Sequence, residues 1–370
     1  MRTIGLMSGT SLDGVDGVLV DFSQDALSVL AFASCDIPTP LRAELLALNS
    51  SADNELHRAA LAANALVGLY GTVVQQLLKA SGVAPTSIAA IGVHGQTVRH
   101  RPGEFDGVGY TLQLNNPALL AERSGIAVVA DFRSRDVAAG GQGAPLVPAF
   151  HSLFLNSERQ RMAVLNIGGI SNITLLAPQQ AQQSVQGFDC GPGNALLDYW
   201  CQKHTGAAFD NGGEWGRMGT VNADLLAHWL KDPFFHQQAP KSTGRDLFNP
   251  SWLEASLAHF PTVSPADVQA SLTALTAATC ADALNQALPG CHRLLVCGGG
   301  AFNSLLMEML QSRLAGCTVA STQSAGLPPL QVEACAFAWL AVQALQGRAG
   351  NLPAVTGARG PRVLGAIYPA

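Results

Sequence analysis

The chain has 370 residues, of which 48% are hydrophobic and 13% are charged. This composition is typical of a compact globular protein and excludes an intrinsically disordered one. The formal net charge is −5 and Lys and Arg form no run, so nucleic acid is not expected as a main partner. The length is sufficient for two domains, each with its own core.

The N-terminus leads directly into a short predicted strand, and Asp13 and Asp16 interrupt any apolar segment, so no signal peptide is expected. No charge-free apolar stretch reaches the ~20 residues needed to span a bilayer, and the longest candidate, residues 334–347, is predicted to be a buried helix. The eight cysteines form no CxxC pair, and the nine histidines form no HExxH or HxxxH motif. We therefore expect reduced and mostly buried thiols, a cytoplasmic location and no membrane partner.

The first predicted elements form a hairpin, in which apolar strands around residues 4–7 and 18–21 flank a Gly-rich polar turn. A third strand follows at residues 26–37. An amphipathic helix is predicted at residues 54–81, with Gly82 as its C-cap. The next elements are a strand at 88–94, a helix at 117–124 closed by Gly125, and a strand at 126–130.

Residues 162–176 repeat the layout of the first hairpin. The later elements are a strand at 185–188 that runs into Asp189, a helix at 195–204 capped by Asn194, a helix from Ser264 to about 288, a strand at 293–297, a helix from about Asn303 and a final helix at 331–345. Hairpins followed by βα units, given twice, predict two α/β domains. We place them at residues 1–125 plus about 331–370 and at residues 126–330, with a hinge near Gly125.

The two hairpin turns have features of phosphate loops. Small residues in the first turn leave backbone N–H groups free to face an anion. Asp13 and Asp16 would repel a phosphate directly, but they can hold a divalent cation that contacts it. Two such loops in one chain predict a duplicated domain that binds one nucleotide. The alternative is two unrelated surface hairpins with polar turns.

A third Gly-rich segment, Gly298 to Gly300, follows a strand and opens a helix near Asn303. Glycine there allows close backbone approach to a ligand and frees helix N-terminal N–H groups. The segment matches neither GxGxxG nor GxxxxGK[ST]. Because two phosphate hairpins precede it, contact with phosphate or adenosine is favoured over a plain sharp turn.

Asp189 follows a buried strand and precedes a Gly-Pro-Gly turn and a helix N-terminus. A carboxylate in that place can accept a proton from a water or a sugar hydroxyl. The alternative is an inert helix-capping aspartate. We favour catalysis because α/β proteins place ligands at strand ends that face a cleft.

Other polar residues also lie at predicted strand ends. Arg133 and Arg135 can receive a carboxylate of the substrate or form local pairs with aspartates. His94 and Gln96 can bond sugar hydroxyls or be structural. The polar loops at residues 210–215 and 241–246 receive no assignment.

Together these segments resemble the anhydro-N-acetylmuramic acid kinases of bacterial cell-wall recycling. The resemblance runs in one order along nearly the whole chain and is carried by MSGTSLDGVD, HGQTVRHRP, TLQLNNPALLAERSGI, VVADFRSRD, AAGGQGAPLVPAFH, LNIGGISNIT, GFDCGPGN, PKSTGRD, CGGGAFN and NLPAVTGA. It implies the sugar kinase, heat-shock 70 and actin superfamily. The expected fold is α/β, with duplicated actin-like ATPase (ribonuclease H-like) domains and an interdomain cleft.

The resemblance implies a kinase that opens the 1,6-anhydro ring of an amino sugar with water. The kinase phosphorylates O6 with ATP and gives N-acetylmuramic acid 6-phosphate and ADP. Asp189 is the implied general base, Mg²⁺ is expected near Asp13, and a homodimer is expected. The residues expected to bind ATP phosphates are Gly9, Thr10, Ser11, Leu12, Asp13, Gly14, Val15, Asp16, Gly168, Gly169 and Asn172. Those expected at the nucleotide are Gly298, Gly299, Gly300 and Asn303, and those expected at the sugar are His94, Gln96 and Arg133.

The chain departs from the family pattern at two places. Cys190 stands beside the expected base where Thr is typical, and Asn115 and Asn116 precede Pro117 where Gly-Asp or Gly-Asn is typical. Two other functions are considered. One is an ordinary sugar kinase in which Asp189 deprotonates a substrate hydroxyl, and the other is a non-enzymatic actin-like or chaperone-like ATPase.

Overall fold

The chain folds into two compact units. The structure, a computed structural model, describes residues 1–9, 12–23, 27–155, 161–176, 185–239, 241–244 and 247–370. Unit 1 comprises Met1–Phe154 and Leu330–Ala370, and unit 2 comprises Leu155–Pro329. This boundary differs from the predicted one near Gly125, because Val128–Ala130 pairs in parallel with Ala90–Val93 in the sheet of unit 1.

Strands and helices alternate along most of the chain. The described strands are β1 (Arg2–Ser8), β2 (Gly14–Asp21), β3 (Ser28–Asp36), β4 (Ala90–Val93), β5 (Gln96–Pro102), β6 (Gly109–Leu114), β7 (Val128–Ala130), β8 (Met162–Ile167), β9 (Ile170–Leu176), β10 (Gln186–Pro192), β11 (Arg293–Cys297), β12 (Thr318–Ser321) and β13 (Ala366–Tyr368). The described α-helices are α1 (Thr39–Ala47), α2 (Glu55–Ser81), α3 (Pro117–Ser124), α4 (Ser134–Ala138), α5 (Val147–Phe154), α6 (Asn194–Thr205), α7 (Glu214–Met218), α8 (Ala223–Trp229), α9 (Pro250–Leu257), α10 (Pro265–Ala287), α11 (Ser304–Arg313), α12 (Val332–Leu345) and α13 (Pro353–Thr356).

Unit 1 is built on a six-stranded sheet in the order β13-β7-β4-β1-β2-β3. Helix α12 packs very closely on its central strands. A Cβ added to Gly5 would overlap the carbonyl oxygen of Ala334, and one added to Gly92 would overlap that of Phe337. Glycine at these two positions therefore lets the helix backbone approach the sheet. A separate two-stranded hairpin, β5–β6, lies between β4 and α3 in the chain.

Helix α2 is the only described helix whose length and composition would allow it to cross a membrane. It begins at Glu55 and ends with Gly82 in the left-handed conformation, as the sequence predicts. Its apolar stripe, which includes Leu66, Tyr70 and Leu77, is fully buried in the core of unit 1. The helix therefore has the burial pattern of a core helix packed against a sheet.

Unit 2 is built on a five-stranded sheet in the order β10-β9-β8-β11-β12. Helix α10 contacts β9 and β10 and is buried along most of its length. It begins as predicted, because the Ser264 side chain accepts a hydrogen bond from the Asp267 N–H and Pro265 is the first helical residue. The eight cysteines are free thiols, and all except Cys35 are buried, also as predicted.

The two sheets have the same topology. Strands β1, β2, β3, β4 and β7 of unit 1 correspond to β8, β9, β10, β11 and β12 of unit 2. In each sheet the first three strands pair antiparallel, and the other two join in parallel. The duplicated α/β fold of the actin-like ATPases, predicted from the sequence, is confirmed.

Candidate active site

The turn of the first hairpin leaves the sheet after the pair formed by Ser8 and Val15. Within this turn, Thr10 and Ser11 lie outside the described residues. Leu12 has a φ of 59°, and its N–H donates to the Gly9 carbonyl at 3.1 Å. A bulky residue with positive φ is strained, so neighbouring groups must hold this turn in place.

Two side chains from other elements hold the turn. The hydroxyl of Tyr70, on α2, lies 2.9 Å from that of Ser8. Gln96 Nε2 donates to the Gly9 carbonyl at 3.1 Å. Gln96 is only 1% exposed, and its Oε1 is buried without a hydrogen-bond partner. Gln96, which was predicted to bind the sugar, therefore contacts the turn of the first hairpin.

The two aspartates of the first hairpin have different surroundings. Asp13 is 68% exposed, and its Oδ1 accepts a hydrogen bond from Arg42 Nη2 at 3.1 Å. Asp16 is partly buried on β2, and burial raises its pKa to about 6, with a further contribution from the charge of Asp13. Asp16 therefore carries its charge in surroundings that a cation would stabilise.

His94 and Arg133, two of the predicted sugar-binding residues, contact each other. Arg133 Nε and Nη2 donate to His94 Nε2 at 3.0 and 2.8 Å, and Nη1 donates to the Gly143 carbonyl at 2.7 Å. Burial and the neighbouring guanidinium hold the pKa of His94 well below its usual range. His94 is therefore neutral, and its buried Nδ1 has no partner. Arg135 is exposed and forms no ion pair among the described residues.

Three residues of unit 1 that the sequence analysis did not assign belong to this region. Glu333 is on α12. Burial raises its pKa, the positive charge of Arg133 lowers it, and the negative charge of Asp16 raises it further. Asp136 accepts hydrogen bonds from Asn351, Thr356 and the Gly143 N–H, and so fixes the loop that contacts Arg133. Asn115 has both polar side-chain atoms buried without partners. Unpaired buried polar atoms are a signal of a missing ligand or water.

The second hairpin turn, at Gly168 and Gly169, docks on the start of α6. The Asn194 N–H donates to the Gly168 carbonyl at 2.7 Å, and the Gly193 N–H donates to the Gly169 carbonyl at 3.0 Å. Asn194 is the first residue of α6, and its side chain donates to Ile167 O at 3.2 Å. The prediction that Asn194 caps the helix with its side chain is therefore wrong.

Asp189 lies inside β10, two strands from β8, and not after the end of a strand as predicted. Gly191 and Pro192 continue the strand, because Gly191 pairs with Ser171 and Pro192 with Ile170. Asp189 is directly opposite Asn172 on β9, which in turn is opposite Asn166 on β8. Opposite residues share a face of the sheet, so Asp189 and the predicted phosphate-binding Asn172 lie side by side.

The Asp189 carboxylate is held by a loop beyond the edge of β10. Its Oδ2 accepts hydrogen bonds from Ser242 Oγ and from the Thr243 N–H, both at 2.9 Å. Burial raises the pKa of Asp189, and these two hydrogen bonds oppose the rise. The neighbouring Cys190 is buried in the core of unit 2. A half-buried carboxylate with a raised pKa is suited to accept a proton near neutral pH.

The third Gly-rich segment packs against the second hairpin. Gly298 has a φ of 78°, and a Cβ added to Gly300 would overlap Ile167. A short 3₁₀ helix, Gly299–Phe302, precedes α11, which begins at Ser304, as predicted from about Asn303. The Asn303 side chain accepts a hydrogen bond from the Leu306 N–H at 3.0 Å, so it caps α11. Residues Gly168, Asn172, Asp189 and Gly298 thus belong to one end of unit 2.

The polar loop at residues 210–215 makes hydrogen bonds within the protein. Asp210 is buried and accepts hydrogen bonds from the Trp215 and Gly216 N–H groups, each at 2.9 Å. Across the ranges that the structure describes, no group of three or more His, Cys, Asp and Glu side chains is arranged to hold a metal ion.

Two sheets of one topology, each with a Gly-rich turn between its first two strands, define the fold of the actin-like ATPases. The family model described as "Anhydro-N-acetylmuramic acid kinase" matches residues 1–370. The chain belongs to this family, and it is a kinase.

Relatives of the same description are similar over their full length. The chain is 61% identical over 369 residues to the anhydro-N-acetylmuramic acid kinase of Variovorax paradoxus (strain S110). This match covers 99% of this chain and 98% of that protein. The chain is 59% identical over 384 residues to the anhydro-N-acetylmuramic acid kinase of Albidiferax ferrireducens, and this match covers 99% of each protein. Among solved structures, the activator of the 2-hydroxyisocaproyl-CoA dehydratase from Clostridium difficile with bound ADPNP is similar with a TM-score of 0.48, at 12% identity over 91% of this chain and 93% of that one.

Proposed function

We propose that the protein opens the 1,6-anhydro ring of 1,6-anhydro-N-acetylmuramic acid with water and phosphorylates O6 with ATP. The products are N-acetylmuramic acid 6-phosphate and ADP. The observation that carries this proposal is the match of the family model over residues 1–370. The half-buried carboxylate of Asp189, beside the second hairpin, supports it because ring opening by water needs a base.

Asp189 accepts a proton from the water that attacks C1 of the sugar. The C1–O6 bond breaks as the new C1–O bond forms, and O6 takes the γ-phosphoryl group while the bond to ADP breaks. General-base assistance of this kind is typically worth ~10²–10⁴-fold in rate. The 1,6-bridge covers one face of the ring, so the water attacks the opposite face and the configuration at C1 is inverted.

The backbone of the Gly-rich turns binds the phosphates of ATP in this proposal. Residues 9–16 of unit 1 and Gly168, Gly169 and Asn172 of unit 2 are assigned to this role. Gly298, Gly299 and Gly300 are assigned to the nucleotide, whereas the capping role of the Asn303 side chain argues for a backbone contact only at Asn303. Phosphoryl transfer depends mainly on positioning and charge neutralisation, which backbone N–H groups provide.

Carboxylates of unit 1 fit a magnesium ion. Hard divalent cations prefer carboxylate oxygens, and burial together with a neighbouring carboxylate raises the pKa of both Asp16 and Glu333. A bound cation would relieve both effects. Because Asp13 is exposed and bonded to Arg42, we assign the ion to Asp16 and Glu333 and give Asp13 a supporting role. When bound, Mg²⁺ neutralises charge on the ATP phosphates.

The amino sugar is assigned to unit 1 residues with unused polar atoms. His94 Nδ1 is buried without a partner and suits a sugar hydroxyl. Arg133 keeps N–H groups beyond its bonds to His94 and Gly143, and it suits the carboxylate of the substrate. Gln96 acts through the Gly9 carbonyl and is reassigned from the sugar to the phosphate loop.

We further propose a cytoplasmic homodimer that acts in peptidoglycan recycling, without a membrane or nucleic-acid partner. The support is the family membership and the net charge of −5. Light scattering coupled to size-exclusion chromatography tests the oligomeric state, and a mass of one chain would contradict the dimer.

The test of the reaction is mass spectrometry after incubation of the purified protein with MgATP, anhydro-N-acetylmuramic acid and ¹⁸O-labelled water. We expect a product that gains one phosphate and one labelled oxygen at C1. A phosphate gain without label would instead indicate an ordinary sugar kinase acting on a hydroxyl. Absence of any product with intact ATP binding would contradict the proposal and favour a non-enzymatic ATPase.

A further inference from the structure

The loop at residues 241–244, which the sequence left unassigned, runs beside the edge strand β10. The Asp189 N–H donates to the Lys241 carbonyl at 3.0 Å, so the loop pairs with the strand at the position of Asp189 itself. The Lys241 ammonium donates to the carbonyls of Phe234 and Phe235 at 3.2 and 3.3 Å and lies 4.7 Å from the centre of the Phe234 ring. These contacts anchor the loop at Lys241, the residue whose carbonyl bonds to β10.

The loop contacts one oxygen of the Asp189 carboxylate. Ser242 Oγ and the Thr243 N–H both donate to Oδ2. Within the described ranges, Oδ1 accepts no hydrogen bond. Two donors on one carboxylate oxygen fix the rotation of the group about its terminal torsion, which is otherwise broad. The other oxygen then has one direction in which it can accept a proton.

We propose that Ser242 and the Thr243 N–H are positioning groups that fix Oδ2 of Asp189 and leave Oδ1 to take the proton of the attacking water. This inference rests on the proposed role of Asp189 as the general base. Both donors also stabilise the ionised carboxylate against its burial, because hydrogen bonds to the charged form favour that form. The loop therefore controls both the direction and the protonation of the base.

Two other titratable groups lie beside Asp189. The Cys190 thiol is buried with Cys280, and its pKa is held well above its usual range, so it stays neutral. The Lys241 ammonium donates to two carbonyls and remains the anchor of the loop. Asp16, with a pKa of about 6, titrates in the same range, but the Ser242 hydroxyl donates to Asp189. A shift of the acid limb in Ser242→Ala is therefore assigned to Asp189.

The test is the pH profile of kcat for Ser242→Ala. Loss of one hydrogen bond to the carboxylate raises the pKa of Asp189, so the acid limb moves to higher pH, by about one unit. We expect kcat near neutral pH to fall roughly ten- to a hundredfold, as is typical of a bond to a charged group, while the KM for ATP is unchanged. Ser242→Thr keeps a hydroxyl and should restore the wild-type profile.

Ser312→Ala is the matched control, because it removes an exposed helix hydroxyl of unit 2 that, among the described residues, donates to the Met309 carbonyl alone. It should leave kcat and the acid limb unchanged. If Ser242→Ala also leaves both unchanged while Asp189→Asn abolishes turnover, the positioning role is wrong and the proposed function stands. If Asp189→Asn turns over normally, the proposed function itself fails.

Discussion

Unit 1 and unit 2 place their carboxylates on different strands of the same topology. Asp16 and Asn172 occupy the same register position, the second residue pair from the hairpin turn. On the third strand, Asp16 is opposite Ser34, whereas Asn172 is opposite Asp189. The duplicated fold therefore provides two equivalent positions, and each unit fills a different one with a carboxylate. Unit 1 gains a group suited to a cation, and unit 2 gains a group suited to accept a proton.

The two hairpin turns are also held by different means. In unit 1 the strands are joined by residues 9–13, and the side chains of Tyr70 and Gln96 hold this turn. In unit 2 the strands are joined by Gly168 and Gly169 alone, and backbone N–H groups at the start of α6 hold the turn. A long turn needs side-chain partners, so single substitutions can loosen the turn of unit 1 more readily than that of unit 2.

The largest expected effect is that of Asp189→Asn, which leaves both units with an uncharged group at the equivalent position of the third strand, Ser34 in unit 1. We expect kcat to fall by ~10²–10⁴-fold, because the amide cannot accept the proton of the attacking water. ATP binding should persist, as measured by isothermal titration calorimetry. Asp36→Asn, at the exposed end of the third strand of unit 1, is the control and should retain full turnover. In the wild type, the raised pKa of Asp189 places the acid limb of kcat above the ordinary aspartate pKa of 3.8.

Asp16→Asn makes unit 1 resemble unit 2 at the equivalent position. The pKa of Asp16 is raised from 3.8 to about 6, so the folded state binds the proton more tightly and stability falls as pH rises through that range. Without Mg²⁺ at pH 7, the variant should gain up to about 3 kcal/mol in the free energy of unfolding. Denaturation in guanidinium at pH 7 and below pH 4 measures this, and the gain should vanish at the lower pH.

The same variant should bind MgATP more weakly, since it removes a proposed ligand of the ion. Asp13→Asn is the matched control for stability. Asp13 is exposed, so its substitution should change the free energy of unfolding by less than about 0.5 kcal/mol. An Asp16→Asn variant that is no more stable than the wild type at pH 7 would contradict the raised pKa of Asp16.

Gln96→Leu tests whether side chains from outside the hairpin hold the turn of unit 1. Loss of the hydrogen bond to the Gly9 carbonyl should raise the KM for ATP roughly two- to tenfold, with little change in kcat. Gln113→Leu is the control from the same β5–β6 hairpin, because its Nε2 donates to Thr97 and Thr111 and not to the turn. Steady-state kinetics with ATP varied should separate the two variants. Equal KM values would show that Gln96 does not position the turn.

Local signals allowed much of the fold to be predicted. Alternating apolar strands around Gly-rich turns gave both hairpins, and the Ser-Pro start gave the beginning of α10 at Pro265. Helix ends at Gly82 and Gly125 followed because glycine takes the left-handed conformation there. These features depend on neighbouring residues only, so a single sequence contains them.

Contacts between distant parts of the chain could not be predicted in the same way. Asp189 was placed after a strand because Gly191 and Pro192 are typical of turns, but pairing with β9 extends the strand through them. Residues 126–154 were predicted to belong to the second domain but lie in unit 1. The pairing of β7 with β4 that places them there has no local signature in the sequence. Glu333 was overlooked on an apolar helix, since its role depends on Asp16, which is more than 300 residues away.

The smallest expected effect concerns two neighbouring asparagines after β6, the hairpin strand that has no counterpart in unit 2. In unit 2, β11 and β12 correspond to β4 and β7. The residues that join them, 298–317, are all described and contain the helix α11 but no strand. Asn115 has both side-chain polar atoms buried without partners, so Asn115→Ala should raise the free energy of unfolding by about 1 kcal/mol. Asn116 accepts a hydrogen bond from the Leu119 N–H and caps α3, so Asn116→Ala should lower it by about 1 kcal/mol. Urea denaturation of both variants should give opposite signs, and a loss of stability in Asn115→Ala would mean that its amide has a partner in solution.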